Sequence, residues 1–248
     1  MSLASPTDGP HLSIVIPAFN EEARLMGTLS KIAAYVETIG LAAEVLVVDD
    51  GSTDRTAELA TLALAAGRGR VIPNGANRGK GYSVRHGVLE ARGEMVLITD
   101  ADLSTPIEKY TKLAATIAGH DVVIGSRALP DSDVRVRQGW LRQSMGRTFN
   151  TIIRTATGLP FRDTQCGFKL MNRERVAPLF AEMVIDGFAF DVELLFLCAH
   201  FGRSVSETLV IWVNALGSKV SILGDPLKMI ADVLRVRARH ARGLYRPR

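Results

Sequence analysis

With 47% hydrophobic and 23% charged residues, this 248-residue chain has room for one large or two small domains and is not disordered. Its only cysteines, Cys166 and Cys198, lack paired spacing, so a reducing compartment suits it better than a disulfide framework. No apolar run approaches the roughly 20 residues of a membrane span, the first ten residues lack a signal-peptide pattern, and the net charge of +4 is only mildly basic.

Residues 1–11 read as a flexible lead-in. Leu12-Ser13-Ile14-Val15-Ile16 predicts a strand that stops at Pro17. Asn20-Glu21-Glu22 opens a helical stretch whose Leu25, Leu29, Ile32 and Val36 share one face until Gly40 ends it. A second strand, 44–48, leads into Asp49-Asp50-Gly51-Ser52-Thr53-Asp54, and a helix from about Asp54 to Ala66 stops at Gly67. Residues 70–72 form a third strand and 79–91 a third helix. Residues 94–99 are apolar and β-prone, as a strand inside a sheet should be. A fourth helix follows Pro106, and 121–125 make a fifth strand. Alternating strands and helices imply an α/β fold with parallel strands and right-handed crossovers, and the spacing is too irregular for a solenoid.

The chemistry gathers at strand ends, because an open α/β sheet binds ligands at its carboxyl edge. If the chain stays extended, Asp100 and Asp102 point the same way and converge on one hard cation that keeps positions for substrate phosphates. The alternative is an Asp cap ahead of Ser104-Thr105-Pro106, and one residue suffices for that. Asp49 and Asp50 either offer carboxylates to a ribose or base, or build a turn. Asn77-Arg78-Gly79-Lys80-Gly81 puts two glycines and two cations before a helix whose N-terminus favours anions. P-loop spacing is absent, and no Gly-x-Gly-x-x-Gly follows the first strand, which argues against a dinucleotide site.

Between Arg127 and Arg154 lie Arg135, Arg137, Arg142 and Arg147 against Asp131 and Asp133, a pattern that suits an anionic substrate or a solvated helix face. Cys166, with no His near it in sequence, reads as a small buried thiol. Asp191 and Glu193 lead into a buried helix as caps or site residues, and the sheet mouth favours the site. From Pro226 on, Lys228, Arg235, Arg237, Arg239, Arg242, Arg246 and Arg248 face a single acid, Asp232. Leu227, Ile230, Ala231, Leu234 and Val236 supply a partly apolar side. This segment either lies in an anionic membrane interface or packs on the domain with a frayed basic tail. Nucleic acid is the poorer reading, since no binding module accompanies the charge. The expected organisation is a lead-in, one domain over 12–225, and a basic amphipathic helix and tail over 226–248.

Taken together, Ile16-Pro17-Ala18-Phe19-Asn20-Glu21-Glu22, Val47-Val48-Asp49-Asp50-Gly51-Ser52-Thr53-Asp54 and Asp100-Ala101-Asp102 resemble the nucleotide-sugar half of a family 2 glycosyltransferase. The fold so implied is GT-A, a mostly parallel central sheet flanked by helices, with a Rossmann-like half and an acceptor half. Asn77–Gly81, Asp100–Pro106, Gly125-Ser126-Arg127, Asp163-Thr164-Gln165-Cys166-Gly167-Phe168-Lys169 and Phe190-Asp191-Val192-Glu193 are similar to dolichyl-phosphate β-glucosyltransferases and polyprenyl-phosphate mannosyl synthases. The resemblance covers about 12–221.

It implies inverting transfer of a hexose, glucose foremost, from UDP-glucose or GDP-mannose to a polyprenyl or dolichyl phosphate with Mg²⁺ or Mn²⁺. Pro17, Glu21, Asp49 and Asp50 would line the nucleoside pocket, and Asn77, Lys80 and Ala101 would also meet the sugar nucleotide. Asp100 would lie near ribose and sugar and share the metal with Asp102, its main ligand. Arg127 would contact phosphate at the reaction centre, with Arg137, Gln165 and Lys219 on the acceptor phosphate and Asp163–Lys169 as the floor. Mannosyl synthases commonly carry Gln two residues after the second Asp, where Ser104 stands here. The N-terminal membrane helix of eukaryotic glucosyl enzymes and the C-terminal membrane domain of some relatives are expected to be missing. An anionic lipid phosphate attacks without a general base, so Asp191 serves as one only for an alcohol acceptor. The expected location is cytoplasmic, peripherally on the membrane's cytoplasmic face. Two alternatives stand beside this reading: a glycosyltransferase with a soluble acceptor, and a non-catalytic sugar-nucleotide-binding module. Asp100, Asp102 and Arg127 occurring together disfavour the module.

Overall fold

The computed structural model describes residues 9–65, 67, 69–128, 150–151, 153–212 and 224–246. The expectations for Arg137, Lys219 and most of the arginine-rich segment fall outside those residues. Chain order is β1 (Leu12–Ala18), α1 (Leu25–Thr38), β2 (Ala43–Asp49), α2 (Thr56–Leu64), β3 (Gly69–Pro73), α3 (Lys80–Glu90) and β4 (Met95–Ile98). A 3₁₀ turn (Ile107–Lys109) leads into α4 (Tyr110–Thr116) and β5 (Val122–Ser126). Then come β6 (Lys169–Asn172), α5 (Arg173–Glu182), α6 (Phe190–His200), β7 (Val205–Leu209) and α7 (Gly224–Ala241).

The strands form one sheet ordered β3-β2-β1-β4-β6-β5-β7, parallel except for β6, which runs antiparallel to β4 and β5. The period-two pattern sorts side chains onto two faces. Val15, Val48, Ile98 and Ile124 meet Val84 and Val88 of α3 and the buried α6 on one side. Ile14, Ile16, Leu97 and Val123 meet Leu25, Leu29 and Ile32 of α1 and Leu113 of α4 on the other. Right-handed crossovers require this, since β1 to β2 steps one way along the sheet and β3 to β4 steps back.

The order reverses between β1 and β4, the switch point where a crevice opens at the carboxyl edge. β1 extends through Pro17 to Ala18, past the stop that the sequence suggests. Val15 is its last residue paired with β4 and its carbonyl accepts from Thr99. Pro17, two residues on, faces the same way beyond the end of β4, where no amide is needed. β6 is a reversal that alternation did not predict. Because it is antiparallel, its leading segment, 163–168, arrives at the edge where the other strands end.

Candidate active site

The site begins where β4 ends. The chain turns at once: the Leu103 amide donates to the Asp100 carbonyl, and Leu103 adopts φ 45°. The extended geometry that would aim both aspartates alike therefore stops at Ile98, and the two carboxylates take different partners. Asp102 Oδ1 accepts from the Ser104 amide at 2.8 Å and closes a local turn, whereas the 3₁₀ turn that follows has Pro106 at its N-cap and takes no side-chain cap, so the capping alternative does not hold. Asp102 Oδ2 lies 4.0 Å from Arg24 Nη1 on a side chain that is one-quarter exposed. Arg24 in turn pairs with Glu21 at 2.6 Å, linking the β1 loop to the β4 loop. Thr28 donates to the buried Ala101 carbonyl at 2.6 Å and fixes the height of the turn against α1.

Asp100 points elsewhere. Its Oδ1 pairs with Lys80 Nζ at 2.6 Å, and a methyl at Gly167 would sit 2.3 Å from its Oδ2. Only glycine lets the 163–168 loop pass so close. Burial works to lower the Lys80 pKa, but Asp100 first, then Asp191 and Asp102, raise it above the usual lysine value.

The start of α3 is also occupied from within. Asp50 accepts from the Arg78 and Gly79 amides at 2.9 Å each and from Asn74 at 2.8 Å, so the anion at this helix N-terminus is the protein's own carboxylate. Gly79 has φ 102°, and a methyl there would meet the Asp186 carbonyl oxygen at 2.4 Å. Asp49 takes long bonds of 3.3 and 3.4 Å from the Ser52 amide. Pro17 and Glu21 are half-buried beside it along the rim, and Asn77 is exposed.

Arg127 follows β5. Its Nε and Nη2 donate to Asp163 at 2.7 and 2.9 Å, its amide donates to the same carboxylate at 3.0 Å, and its guanidinium lies 4.7 Å over Trp212. Burial alone would lower its pKa, but Asp163 more than reverses that and holds the guanidinium above its ordinary value. Burial likewise works against ionised Asp163, but Arg127 keeps it below the usual carboxylate range. Glu207 of β7 accepts from the Arg162 and Asp163 amides, which ties this loop to the sheet. Gln165 sits in the same loop, 3.9 Å from Met229 of α7.

Beneath the rim, Lys169 is fully buried in β6 between Ile98 and Ile124. It pairs with Asp191 of α6 at 2.5 Å and donates to the Cys166 carbonyl. Burial raises the Asp191 pKa, with Lys169 and Lys80 opposing. Glu193, which the sheet mouth had seemed to claim for the site, faces the body: it accepts from the Val184 and Ile185 amides and from Tyr245 Oη. Both acids lie inside α6 rather than ahead of it, and residues two apart on a helix diverge. Burial, followed by Asp163, pushes the Cys166 thiol up to about 11, which rules it out as a thiolate nucleophile near neutral pH.

Sequence reasoning passed over Arg24 and Trp212, and it named Asp163 and Lys169 only within a motif. The three-residue spacing of Arg24 from Glu21 was a usable signal. Nothing in sequence brings Trp212 to Arg127. Among the described residues no three His, Cys, Asp or Glu side chains cluster as a closed metal site. A cavity of about 480 Å³ is lined by residues 155–159, Phe196, His200 and His240 and includes none of the site residues.

The model of the glycosyl transferase family 2 matches residues 13–179. A dolichyl-phosphate β-glucosyltransferase of Dictyostelium discoideum is 32% identical, covering 98% of this chain and 78% of that protein. One from Drosophila melanogaster is 34% identical, covering 99% and 81%. Among solved structures, mannosyl-3-phosphoglycerate synthase of Rubrobacter xylanophilus superposes with a TM-score of 0.69 at 21% identity, over 94% of this chain and 74% of that one. Glucosyl-3-phosphoglycerate synthase of Mycobacterium tuberculosis, crystallised with Mn²⁺, UDP and glucosyl-3-phosphoglycerate, gives 0.65 at 20% identity over 92% and 80%. The mostly parallel sheet, the crevice at its switch point and these matches agree: the chain belongs to glycosyl transferase family 2.

Proposed function

We propose that the protein transfers glucose from UDP-glucose to the phosphate of a polyprenyl phosphate at a membrane surface. Its likeness to dolichyl-phosphate β-glucosyltransferases over nearly the whole chain supports the substrate pair. One geometric observation carries the choice of a phosphate over an alcohol. Asp191, the carboxylate available as a base, is 4% exposed and paired with Lys169. An acceptor that is already anionic needs no base.

Pro17, Glu21 and Asp49 hold the nucleoside. Asp50 acts through the loop it braces, and Lys80 sets the position of Asp100 beside the sugar. Asp102 fits a Mg²⁺ or Mn²⁺ that draws most of its ligands from a diphosphate and water, because it presents one oxygen on a half-open turn. When bound, such an ion supplies charge stabilisation to the diphosphate leaving group. Arg127, locked by Asp163 and Trp212, presents a fixed cation to phosphate charge, and Gln165 stands at the acceptor side. A single displacement by the acceptor phosphate inverts the anomeric carbon.

The test is a donor and acceptor panel. Turnover is expected with UDP-glucose and polyprenyl phosphate, and none with the matching polyprenol. Turnover of the alcohol, or of 3-phosphoglycerate in its place, would overturn the acceptor assignment, and preference for GDP-mannose would overturn the donor. Asp102→Asn should abolish turnover and weaken metal-dependent UDP binding in calorimetry while leaving thermal unfolding unchanged.

A further inference from the structure

We propose that the outward face of α7 is a docking surface for an anionic lipid bilayer. This rests on the reading of the acceptor as a lipid phosphate, and it names the part of the protein that meets the membrane. Among the described residues no helix is long and apolar enough to cross one.

The helix has two apolar faces. Met229, Val233 and Val236 are buried in the core shared with α6, and Tyr245 just beyond the helix anchors it to Glu193 at 2.6 Å. Leu227, Ala231 and Leu234, spaced four and three residues apart, form the other face and are exposed. Leu227 is 72% exposed and Leu234 57%. Three of the seven exposed large apolar side chains among the described residues, counting Leu244, fall in this one segment. Lys228, Arg235 and Arg242 follow a seven-residue spacing that sets exposed cations along the flank of that stripe.

A narrow apolar stripe beside cations is what a helix needs to lie in a headgroup layer. A second copy is the poorer occupant, because an isologous contact would bring the same cations against one another. Placement also favours the bilayer. Met229 on the opposite face touches Gln165, two residues from the Asp163 that clamps Arg127. A membrane docked on α7 therefore lies beside the acceptor end of the crevice.

The experiment is flotation of the full-length protein with phosphatidylcholine vesicles, with and without phosphatidylserine. Wild type should float with the anionic vesicles and release in high salt. Leu227→Ser/Leu234→Ser should lower vesicle partitioning about tenfold or more while keeping the melting temperature and the turnover of a water-soluble short-chain prenyl phosphate. Arg235→Ser/Arg242→Ser should remove the preference for phosphatidylserine. Wild type that fails to float, a leucine variant that floats as well as wild type, or a dimer that the leucine changes dissolve would each overturn the proposal. Flotation without turnover of any prenyl phosphate would sink the acceptor reading and leave this surface standing.

Discussion

Replacing Lys169 with Met removes a fully buried cation and keeps most of its volume. Asp191, 4% exposed, then loses the partner that stands 2.5 Å away. Stranding one member of a buried pair costs about 3–5 kcal/mol. For a domain of this size that corresponds to a fall in Tm of roughly 6–20 °C. Equilibrium urea unfolding followed by far-UV circular dichroism measures the loss directly. Its pH dependence identifies the cause. Burial raises the Asp191 pKa and Lys169 opposes that rise, so the variant raises it further. A carboxyl that holds its proton more tightly when folded contributes its full stability below the unfolded pKa of about 4, and loses it as pH climbs to the folded pKa. The deficit of Lys169→Met should therefore be small near the acid end and grow by up to about 1.4 kcal/mol per pH unit. Lys169→Met/Asp191→Leu should recover most of the loss, because no charge is then left alone. A deficit flat with pH, or a double variant no better than the single, would refute the ion-pair account.

Arg127→Lys keeps the charge but loses the fork on Asp163 and the stack on Trp212, so kcat should fall about 100-fold or more with little change in donor KM; a change confined to KM would make it a ground-state binder. Gly167→Ala places a methyl 2.3 Å from Asp100 Oδ2, and displacing that carboxylate from Lys80 should cut turnover by about 10²-fold with a far smaller effect on unfolding, whereas wild-type rates would show that Asp100 has no positional role. Tyr245→Phe takes one donor from buried Glu193 and should cost about 1–3 kcal/mol in urea unfolding without altering turnover of a water-soluble acceptor.

How far the sequence reached can be judged residue by residue. Local signals were strong where one segment does one job. Apolar runs of strand length and one-faced helices marked the first five strands and the helices between them, because period and burial are properties of a short stretch of chain. The carboxylates at the ends of β2 and β4 were legible for the same reason: a parallel α/β pattern forces every such end to one edge. The family followed from the order of those motifs. Partnerships were not legible. Asp50 reads as open to a ligand in the sequence, but the Arg78 and Gly79 amides just ahead of α3 use it. Glu193 seemed equivalent to Asp191, yet it turns to Tyr245, 52 residues further on.

By itself, then, the sequence determined the α/β class, the parallel first half, the pair of carboxylates after β4 and family membership, which depend on short stretches of chain and on their order. The tertiary structure decided the rest. It reversed β6, so that 163–168 reaches the mouth and Asp163 locks Arg127. It buried Lys169 beneath the site against Asp191, and it gave α7 one face for the core and one for the outside. The physical reason is common to all three. A charge or an apolar stripe has no assigned partner until packing brings distant segments within a few ångströms, and only there do desolvation and pairing settle which role it takes.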